Sequence, residues 1–247
     1  MEFAKSEWNG YERLDFTFEG RNAIVVLPKT RDPKNRWMFK TEYFGAFPSF
    51  ELEMLSRGWG LAHIENSTRW VNPGDIEAKK PFCEFLQQEF GFSPKCLPVG
   101  MSCGGMQAVY FAAKYPQYVA ALYLDAPVLN LLSCPCGIGL GRENPSRERM
   151  YQEFVQKTGR TVTDLINDRN QPFDHIGELI EHQIPAFLIC GDADRVVPYP
   201  ENGAHLAAAY RKSNVPFEEV IKNGCDHHPH GLEDLTPLVA FAEKYCS

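Results

Sequence analysis

A serine stands between two glycines near the middle of the chain, in the segment Gly100-Met101-Ser102-Cys103-Gly104. A serine hydroxyl is a weak nucleophile near neutral pH, so it needs a neighbouring base and a third group that orients this base. To point its side chain out of a turn between a strand and a helix, the serine must adopt strained backbone angles. The residues two before and two after it then lie so close together that they must be small. Because Ser102 leaves both positions to glycine, the pattern predicts a nucleophile at Ser102.

Two other interpretations of this segment remain open. Cys103 could be the nucleophile, but Met101 would then occupy one of the two crowded positions. The glycines could also form a purely structural turn, since the pattern G-x-S-x-G is weak evidence by itself. Its context favours the catalytic interpretation, because an apolar run at 96–101 predicts a strand and the segment GMQAVYFAAKYP after the serine predicts a helix.

Candidates for the base and the acid occur late in the chain, each after a predicted strand. The segment LICGDADRVVP offers Asp192 and Asp194, and the segment IKNGCDHHPHGL offers His227, His228 and His230. The order Ser, Asp, His along the chain is one known arrangement of hydrolytic triads on α/β folds. Clustered histidines could instead bind a metal ion, but H-H-x-H lacks the helical spacing of common ligand sets. We therefore predict no metal, and the lack of a Walker-type or G-x-G-x-x-G loop predicts no nucleotide cofactor.

Strand-like and helix-like segments alternate along most of the sequence, which predicts an α/β fold with a mostly parallel, twisted sheet and helices on both faces. Two strands at 11–18 and 22–28 are separated by a turn and should form an antiparallel hairpin at one edge. The segment 129–184 contains helix-like stretches and no strong strand. We expect it to form a small helical, cap-like insertion within a single domain of residues 1–247, over the edge of the sheet where ligands bind.

The composition excludes several classes of function. The net charge of −7 with no basic stripe argues against a nucleic-acid partner. No apolar run approaches the ~20 residues of a membrane span, and the start of the chain lacks the pattern of a signal peptide. The eight cysteines are spread out, several of them in apolar contexts, which favours reduced thiols and a cytoplasmic location.

The segments GMSCGG, GDADRVVP and HHPHGL together resemble the α/β-hydrolase superfamily, in its esterase and prolyl-oligopeptidase-like branch. The resemblance covers nearly the whole chain and implies an α/β-hydrolase fold. In this branch the acid is usually the aspartate of a G-x-x-D-x-x-[VI]-P turn, which implies Asp194. Asp192 is a lesser alternative, and Asp125, which ends the strand-like segment YLDAP, is another, since some hydrolases take the acid from that strand.

The resemblance also implies which histidine is the base. The G-x-G-H-H-P pattern of the family places catalysis on the first histidine of the pair, here His227, with His228 as the alternative. The sequence departs from this pattern at Asp226, where a glycine is common. An extra carboxylate near the imidazole could result.

An acyl transfer also needs N–H groups that stabilise negative charge on the carbonyl oxygen. One donor should be the backbone N–H of Cys103, directly after the nucleophile. The other should follow the strand AIVVL, where Pro28 has no N–H and Lys29 is the first residue that can donate. Aromatic residues near the ends of two strands could belong to the core or line a substrate pocket, and Trp37 and Trp70 are the candidates for the pocket.

The sequence therefore predicts a serine hydrolase that cleaves a carboxylic ester of modest size through an acyl-enzyme on Ser102, for example an acetyl or other short-acyl esterase acting on carbohydrate. A prolyl-oligopeptidase-like peptidase is the alternative within the superfamily, although only a short lead precedes the first strands. A non-catalytic, hydrolase-like binding module is less favoured because all three residue types of a triad are present. The expected partner is a small-molecule or carbohydrate ester, and the sequence does not indicate the oligomeric state.

Overall fold

One sheet forms the centre of the computed structural model, which describes residues 2–246. Nine strands lie within the described residues, in the spatial order β1-β2-β3-β5-β4-β6-β7-β8-β9. The strands are β1 (Ala4–Trp8), β2 (Tyr11–Phe18), β3 (Arg21–Leu27), β4 (Trp37–Lys40), β5 (Gly60–Ile64), β6 (Leu97–Met101), β7 (Leu122–Asp125), β8 (Ala186–Gly191) and β9 (Phe217–Lys222).

The direction of the strands changes along the sheet. Strands β1, β2, β3 and β5 pair antiparallel, whereas β5, β4, β6, β7, β8 and β9 pair parallel to one another. Because β3 runs against β5, Val26 near the end of β3 pairs with Leu61 at the start of β5. The chain therefore leaves β3 at the opposite edge of the sheet from the carboxyl ends of β4, β6, β7 and β8.

Helices cover both faces of this sheet. Within the described residues they are α1 (Ser49–Ser56), α2 (Pro73–Glu77), α3 (Lys79–Phe90), α4 (Cys103–Lys114), α5 (Arg147–Thr158), α6 (Val162–Ile166), α7 (Ile176–Glu181), α8 (Gly203–Tyr210) and α9 (Thr236–Tyr245). Helices α3, α4, α7 and α8 bury their apolar residues in a core on one face, and α1 and α9 do so on the other. The mostly parallel sheet with an antiparallel N-terminal edge and helices on both faces is as predicted.

Two strands were missed by the sequence analysis. All four residues of β4 are buried, so the segment WMFK shows neither alternation nor a helical period. Strand β1 could not be predicted because four of its five residues are exposed and carry no apolar pattern. It is a strand because it pairs with β2. Of the two, β4 matters for function, because it lies next to β6.

The chain between β7 and β8 carries α5, α6 and α7 and, within the described residues, no strand. A third apolar cluster joins this segment to the body of the molecule, with Met150 and Phe154 of α5 packed near Trp70 and Met106. The insertion therefore covers the edge of the sheet at which β6 and β7 end. Among the described helices, none combines the length and the apolar character needed to span a bilayer.

Candidate active site

Ser102 occupies the corner between β6 and α4. Its backbone has φ 52° and ψ −120°, a strained conformation for a residue with a side chain. The corner is crowded, because a Cβ on Gly100 would lie 2.7 Å from the carbonyl oxygen of Gly104. The backbone N–H of Ser102 donates to the carbonyl of Asp125 on the neighbouring strand at 2.9 Å, which fixes the corner against β7.

His227 reaches this corner from the loop after β9. Its Nε2 lies 3.0 Å from Oγ of Ser102, and its Nδ1 lies 2.7 Å from Oδ2 of Asp194. All three residues are buried, with 6–7% of their surface exposed. The structure thus brings together the three residues that the sequence analysis named as nucleophile, acid and base, although 125 positions separate Ser102 from His227.

The carboxylate of Asp194 is held by the turn that follows β8. Its Oδ1 accepts the backbone N–H groups of Val196 and Val197, both at 2.8 Å, which leaves Oδ2 for His227. Asp192 points elsewhere, because its Oδ1 accepts the N–H of Gly224 at 2.6 Å. It therefore ties two loops together and does not contact the imidazole.

Asp226 also acts on backbone groups. Its Oδ1 accepts the N–H of His227 at 2.8 Å, and its Oδ2 accepts Nε of Arg195 at 2.8 Å. The carboxylate thus links the turn that carries the acid to the loop that carries the base. It is not a second partner for the imidazole of His227.

The alternative acid, Asp125, binds another histidine. Oδ1 of Asp125 lies 2.7 Å from Nδ1 of His230, and Oδ2 accepts the N–H of Gly231 at 2.6 Å and the hydroxyl of Tyr123 at 3.2 Å. Both residues of the pair are buried. The ring of His230 lies 4.9 Å from the ring of His227, so two imidazole–carboxylate pairs lie side by side next to Ser102.

Nitrogen atoms of His227, His228 and His230 lie within 4.8 Å of one another, a spacing that could hold a metal ion. Both ring nitrogens of His227 face protein partners, and Nδ1 of His230 faces Asp125. The ring of His228 stacks on Phe47 with centroids 5.4 Å apart. Burial lowers the pKa of His228, and the neighbouring His227 and His230 lower it further.

Cys103 is the rival nucleophile, and its thiol is fully buried. Burial raises the pKa of this thiol to about 11, which keeps it protonated at neutral pH. The backbone of Cys103 is available for another role. As the first residue of α4, it has no acceptor within the helix for its N–H.

A cavity of about 430 Å³ opens beside Ser102. Its lining residues come from the loops after β4, β5, β6, β8 and β9 and from the start of α5. They are Tyr43, Ala46, Phe47, Arg69, Met101, Ser102, Ser146, Arg149, Met150, Val196, His227, His228 and His230. The buried serine, histidine and aspartate therefore lie next to a cavity that is large enough for a small substrate.

Comparisons with known proteins agree with this architecture. A family model described as the alpha/beta hydrolase fold matches residues 67–163, which include the Ser102 corner. The chain has the α/β-hydrolase fold. An esterase domain from a Rhodothermus marinus protein is similar with a TM-score of 0.62 and 18% identity, over 96% of this chain and 100% of that domain. A search among curated proteins found no match.

Two peptidase structures share this α/β-hydrolase fold. A putative dipeptidyl aminopeptidase IV from Bacteroides ovatus has a TM-score of 0.67 at 14% identity, over 98% of this chain and 35% of that one. The acylaminoacyl peptidase of Pyrococcus horikoshii has a TM-score of 0.65 at 12% identity, over 91% of this chain and 37% of that one. The chain thus spans about a third of the length of these peptidases and the full length of the esterase domain. The similar structures include both kinds of protein in the branch that the sequence resembles.

The prediction of Lys29 as an oxyanion donor is wrong. Lys29 follows β3, and β3 ends at the edge of the sheet opposite the Ser102 corner because it runs antiparallel to β5. Its side chain is exposed, and Nζ lies 5.7 Å from the ring centroid of Tyr11. The assignment to Lys29 assumed that the loop after β3 borders Ser102, whereas the loop that borders Ser102 follows β4, which was not predicted as a strand.

The loop after β4 borders Ser102 instead. Oγ1 of Thr41 donates to the carbonyl of Gly104 at 2.7 Å, which fastens this loop to the first turn of α4. Tyr43 lines the cavity, and its N–H makes only a long contact of 3.4 Å with Oε1 of Glu42. The signal in the sequence was the apolar run WMF followed by the polar residues KTE, which is how a short buried parallel strand can end.

Asn66, which follows β5, holds the same loop from its other side. Its Nδ2 donates to the carbonyl of Thr41 at 2.7 Å and to Oε2 of Glu42 at 2.8 Å, and its Oδ1 accepts Nζ of Lys79 at 2.6 Å. Lys79 is fully buried, and burial lowers its pKa to about 7. This polar network could not be predicted from the sequence, because nothing in the local pattern indicates which side chains meet across two strands.

The two tryptophans predicted for the pocket lie in the core. Trp37 starts β4 at the far edge of the sheet, where its Nε1 donates to the carbonyl of Ser93 at 2.9 Å. Trp70 is fully buried between the guanidinium of Arg69 and the ring of Phe154, with its centroid 4.9 Å from Cζ of Arg69. Neither lines the cavity, and Arg69 occupies the wall in front of Trp70.

Proposed function

We propose that the protein is a serine hydrolase that cleaves carboxylic esters of modest size through an acyl-enzyme on Ser102. The observation that supports this most is the arrangement of Ser102, His227 and Asp194, with separations of 3.0 Å and 2.7 Å between successive partners. A nucleophile, a base and an orienting carboxylate within hydrogen-bond reach are what acyl transfer to serine requires.

The first half of the cycle transfers the acyl group to the enzyme. Oγ of Ser102 attacks the ester carbonyl carbon while Nε2 of His227 accepts the hydroxyl proton. Asp194 stays ionised, holds the imidazole by Nδ1 and stabilises the positive charge on the ring. His227 then gives the proton to the leaving alcohol oxygen as the bond between this oxygen and the acyl carbon breaks.

The second half returns the enzyme to its starting state. A water molecule attacks the acyl carbon, and Nε2 of His227 accepts its proton. The bond between the acyl carbon and Oγ of Ser102 then breaks, Oγ recovers the proton from His227, and the carboxylic acid leaves. No cofactor enters either half, because the three side chains supply all the proton transfers.

Two backbone N–H groups are proposed to stabilise the oxyanion. The N–H of Cys103 has no helical acceptor and directly follows the nucleophile, and the N–H of Tyr43 comes from the loop that packs against the start of α4. A donor of this kind stabilises the transition state by about 3 kcal/mol. Tyr43 takes the place that the sequence analysis gave to Lys29.

We propose an ester first because the similar structures include an esterase domain, which this chain matches over 100% of that domain at 18% identity. Short acyl esters, carbohydrate acetates among them, are the substrates to test first. A peptidase is the second candidate, because both peptidase structures match more than 90% of this chain. Acetylated sugars and a proline-linked amide, offered to the same preparation, separate the two.

The hydrolysis of p-nitrophenyl acetate tests the proposal. We expect turnover by the wild type and its loss in Ser102→Ala, because the hydroxyl forms the acyl-enzyme. Ser146→Ala is the matched control, since this serine lines the same cavity and its hydroxyl makes no hydrogen bond with a described residue. Equal turnover by the wild type and Ser102→Ala would refute the assignment, and no turnover by any folded variant would favour a binding module.

A further inference from the structure

The cavity beside Ser102 differs in charge from the rest of the molecule. The chain has 32 acidic and 25 basic residues and a net charge of −7. Among the described residues that line this cavity, two are arginines, three are histidines and none is a carboxylate. The two arginines are therefore the only permanently charged side chains among these lining residues, and a guanidinium group is suited to bind an anion.

Three carboxylates that lie next to residues of the cavity wall are bound to other partners. Asp194 and Asp125 lie behind the imidazoles that they bind, and their side chains are about 1% exposed. Glu153 is bound by Arg69 through two contacts, Nε to Oε1 at 2.9 Å and Nη2 to Oε2. One arginine of the cavity is therefore neutralised by an ion pair.

The other arginine, Arg149, has no such partner. It lies on the first turn of α5 and is exposed, and it forms no ion pair or side-chain hydrogen bond with any residue in the described part of the chain. Glu153, four residues further along the same helix, is the neighbour with which it would pair. Because Arg69 occupies both oxygens of Glu153, the guanidinium of Arg149 remains a free cation at the cavity wall.

The other residues of the cavity wall indicate what kind of molecule could carry an anionic group to Arg149. Ala46, Phe47, Met101, Met150 and Val196 give the cavity an apolar lining. A substrate that fills it would have a short apolar chain or ring between the scissile carbonyl at Ser102 and a charged end. The planar guanidinium group of arginine binds carboxylates and phosphates through paired hydrogen bonds.

We propose that the preferred substrate carries an anionic group, a carboxylate or a phosphate, in addition to the scissile bond, and that Arg149 binds this group. The inference rests on the proposed function and adds the class of substrate. It also gives α5 of the insertion a function at the cavity, since the catalytic residues themselves all lie on loops that follow strands of the sheet. Arg149 determines specificity and takes no part in the chemical step.

Two pairs of esters that differ only in charge test the proposal. The first pair carries the charge on the acyl side and consists of mono-4-nitrophenyl adipate and 4-nitrophenyl 6-methylheptanoate. The second carries it on the leaving group and consists of 4-acetoxyphenylacetate and 4-isobutylphenyl acetate. In each pair an isopropyl group replaces the carboxylate, which preserves the shape. The leaving group is the same in the first pair, and in the second pair it is a para-alkyl phenolate in both esters. Competition by phenyl phosphate and by phenylacetate shows which anion binds better.

We expect the wild type to hydrolyse the anionic ester of at least one pair with a kcat/KM about tenfold or more above that of its neutral partner, as for a charge-assisted hydrogen bond. The preference should fall between 10 mM and 1 M NaCl, as the screening length shortens from about 30 Å to about 3 Å. Arg149→Gln should bring the ratio to within about twofold of one while neutral esters are still hydrolysed. Lys157→Gln, which removes a charge from an exposed residue of the same helix outside the cavity, should leave the ratio unchanged.

Two results overturn the inference and leave the proposed function intact. One is hydrolysis of the neutral esters with no preference for the anionic ones, and the other is a preference that Arg149→Gln retains. If no ester is hydrolysed and a fluorophosphonate does not label the wild type, the proposed function fails and this inference fails with it.

Discussion

Nδ1 of His230 lies 2.7 Å from Oδ1 of Asp125, the same separation that joins Nδ1 of His227 to Asp194. The two pairs differ at the other nitrogen of the ring. Nε2 of His227 faces Oγ of Ser102 at 3.0 Å, whereas within the described residues Nε2 of His230 has no hydrogen-bond partner. Only one of the two pairs can therefore move the proton of the nucleophile, and the other holds the loop that carries both histidines.

This difference predicts unequal effects of removing the two carboxylates. Asp194→Asn should lower kcat for p-nitrophenyl acetate by about 10³- to 10⁴-fold, because the amide no longer holds the required tautomer of His227. Asp125→Asn should lower kcat by less than about tenfold, since its histidine makes no hydrogen bond with Ser102. Thermal unfolding of both variants controls for the loss of a buried charge. A larger kinetic effect at Asp125 would contradict the assignment of Asp194 as the acid.

The crowding at the Ser102 corner predicts that its two glycines tolerate alanine differently. A Cβ on Gly100 would lie 2.7 Å from backbone atoms of Gly104 and Gly105, but one on Gly104 would lie 3.2 Å from the side chain of Glu42. Gly100→Ala should destabilise the protein by about 1–3 kcal/mol and displace the nucleophile, as overpacking does. Gly104→Ala should cost less than about 1 kcal/mol, since alanine also favours the helix. Urea unfolding measures both, and equal costs would argue against a tight corner.

The contacts of Asn66 predict a kinetic role for a residue that does not line the cavity. Asn66→Asp replaces the Nδ2 donor by an oxygen that repels Glu42 and withdraws a hydrogen bond from Thr41. We expect the loop carrying the N–H of Tyr43 to shift, with kcat lowered about 10- to 100-fold and KM changed by about twofold, because the oxyanion exists only in the transition state. Asn72→Asp is the control in the same region. An unchanged kcat in a folded Asn66→Asp protein would remove Tyr43 from the proposed oxyanion hole.

His63 on β5 predicts how stability depends on pH. Burial lowers its pKa from 6.5 to about 4, and its Nδ1 lies 2.8 Å from the carbonyl of Lys40. The unfolded chain therefore binds more protons than the native one between these pKa values, so stability falls as the pH falls through this range. His63 should by itself lower the free energy of unfolding by about 2 kcal/mol between pH 7 and pH 5.

Urea unfolding of the wild type and of His63→Asn measures this loss. Asparagine can donate from nearly the same position as Nδ1 but does not titrate, so the loss between pH 7 and pH 5 should be about 2 kcal/mol smaller in the variant. Equal losses would show that His63 is protonated in the folded state at pH 5.

The sequence predicted best those site residues that follow strands with clear patterns. Ser102, Asp194 and His227 each follow a predicted strand, and these strands end at the same edge of the sheet, so the parallel order along the chain implied that the three residues meet. The position of Lys29 could not be predicted in this way, since the edge of the sheet at which β3 ends depends on its antiparallel pairing with β5. Strand β4 has four buried residues and no period, so the sequence did not reveal that the loop with Tyr43 directly follows a strand next to β6.

Contacts between residues that lie far apart in the sequence could not be predicted from the local pattern. The ion pair of Arg69 with Glu153 joins positions 84 residues apart, and it both covers Trp70 and leaves Arg149 unpaired. The link from Asn66 to Thr41 and Glu42 likewise crosses between two strands. Such contacts depend on which loops the sheet order brings together, and only the folded structure shows this.

The site of covalent labelling by a fluorophosphonate decides whether Ser102 is the nucleophile. The wild-type protein is treated with the probe and digested, and the modified peptide is located by mass spectrometry. The proposed mechanism predicts one adduct on the hydroxyl of Ser102 and no adduct in His227→Ala, because the serine then lacks its base. An adduct on Cys103 or Ser146, or equal labelling of the wild type and Ser102→Ala, would contradict it.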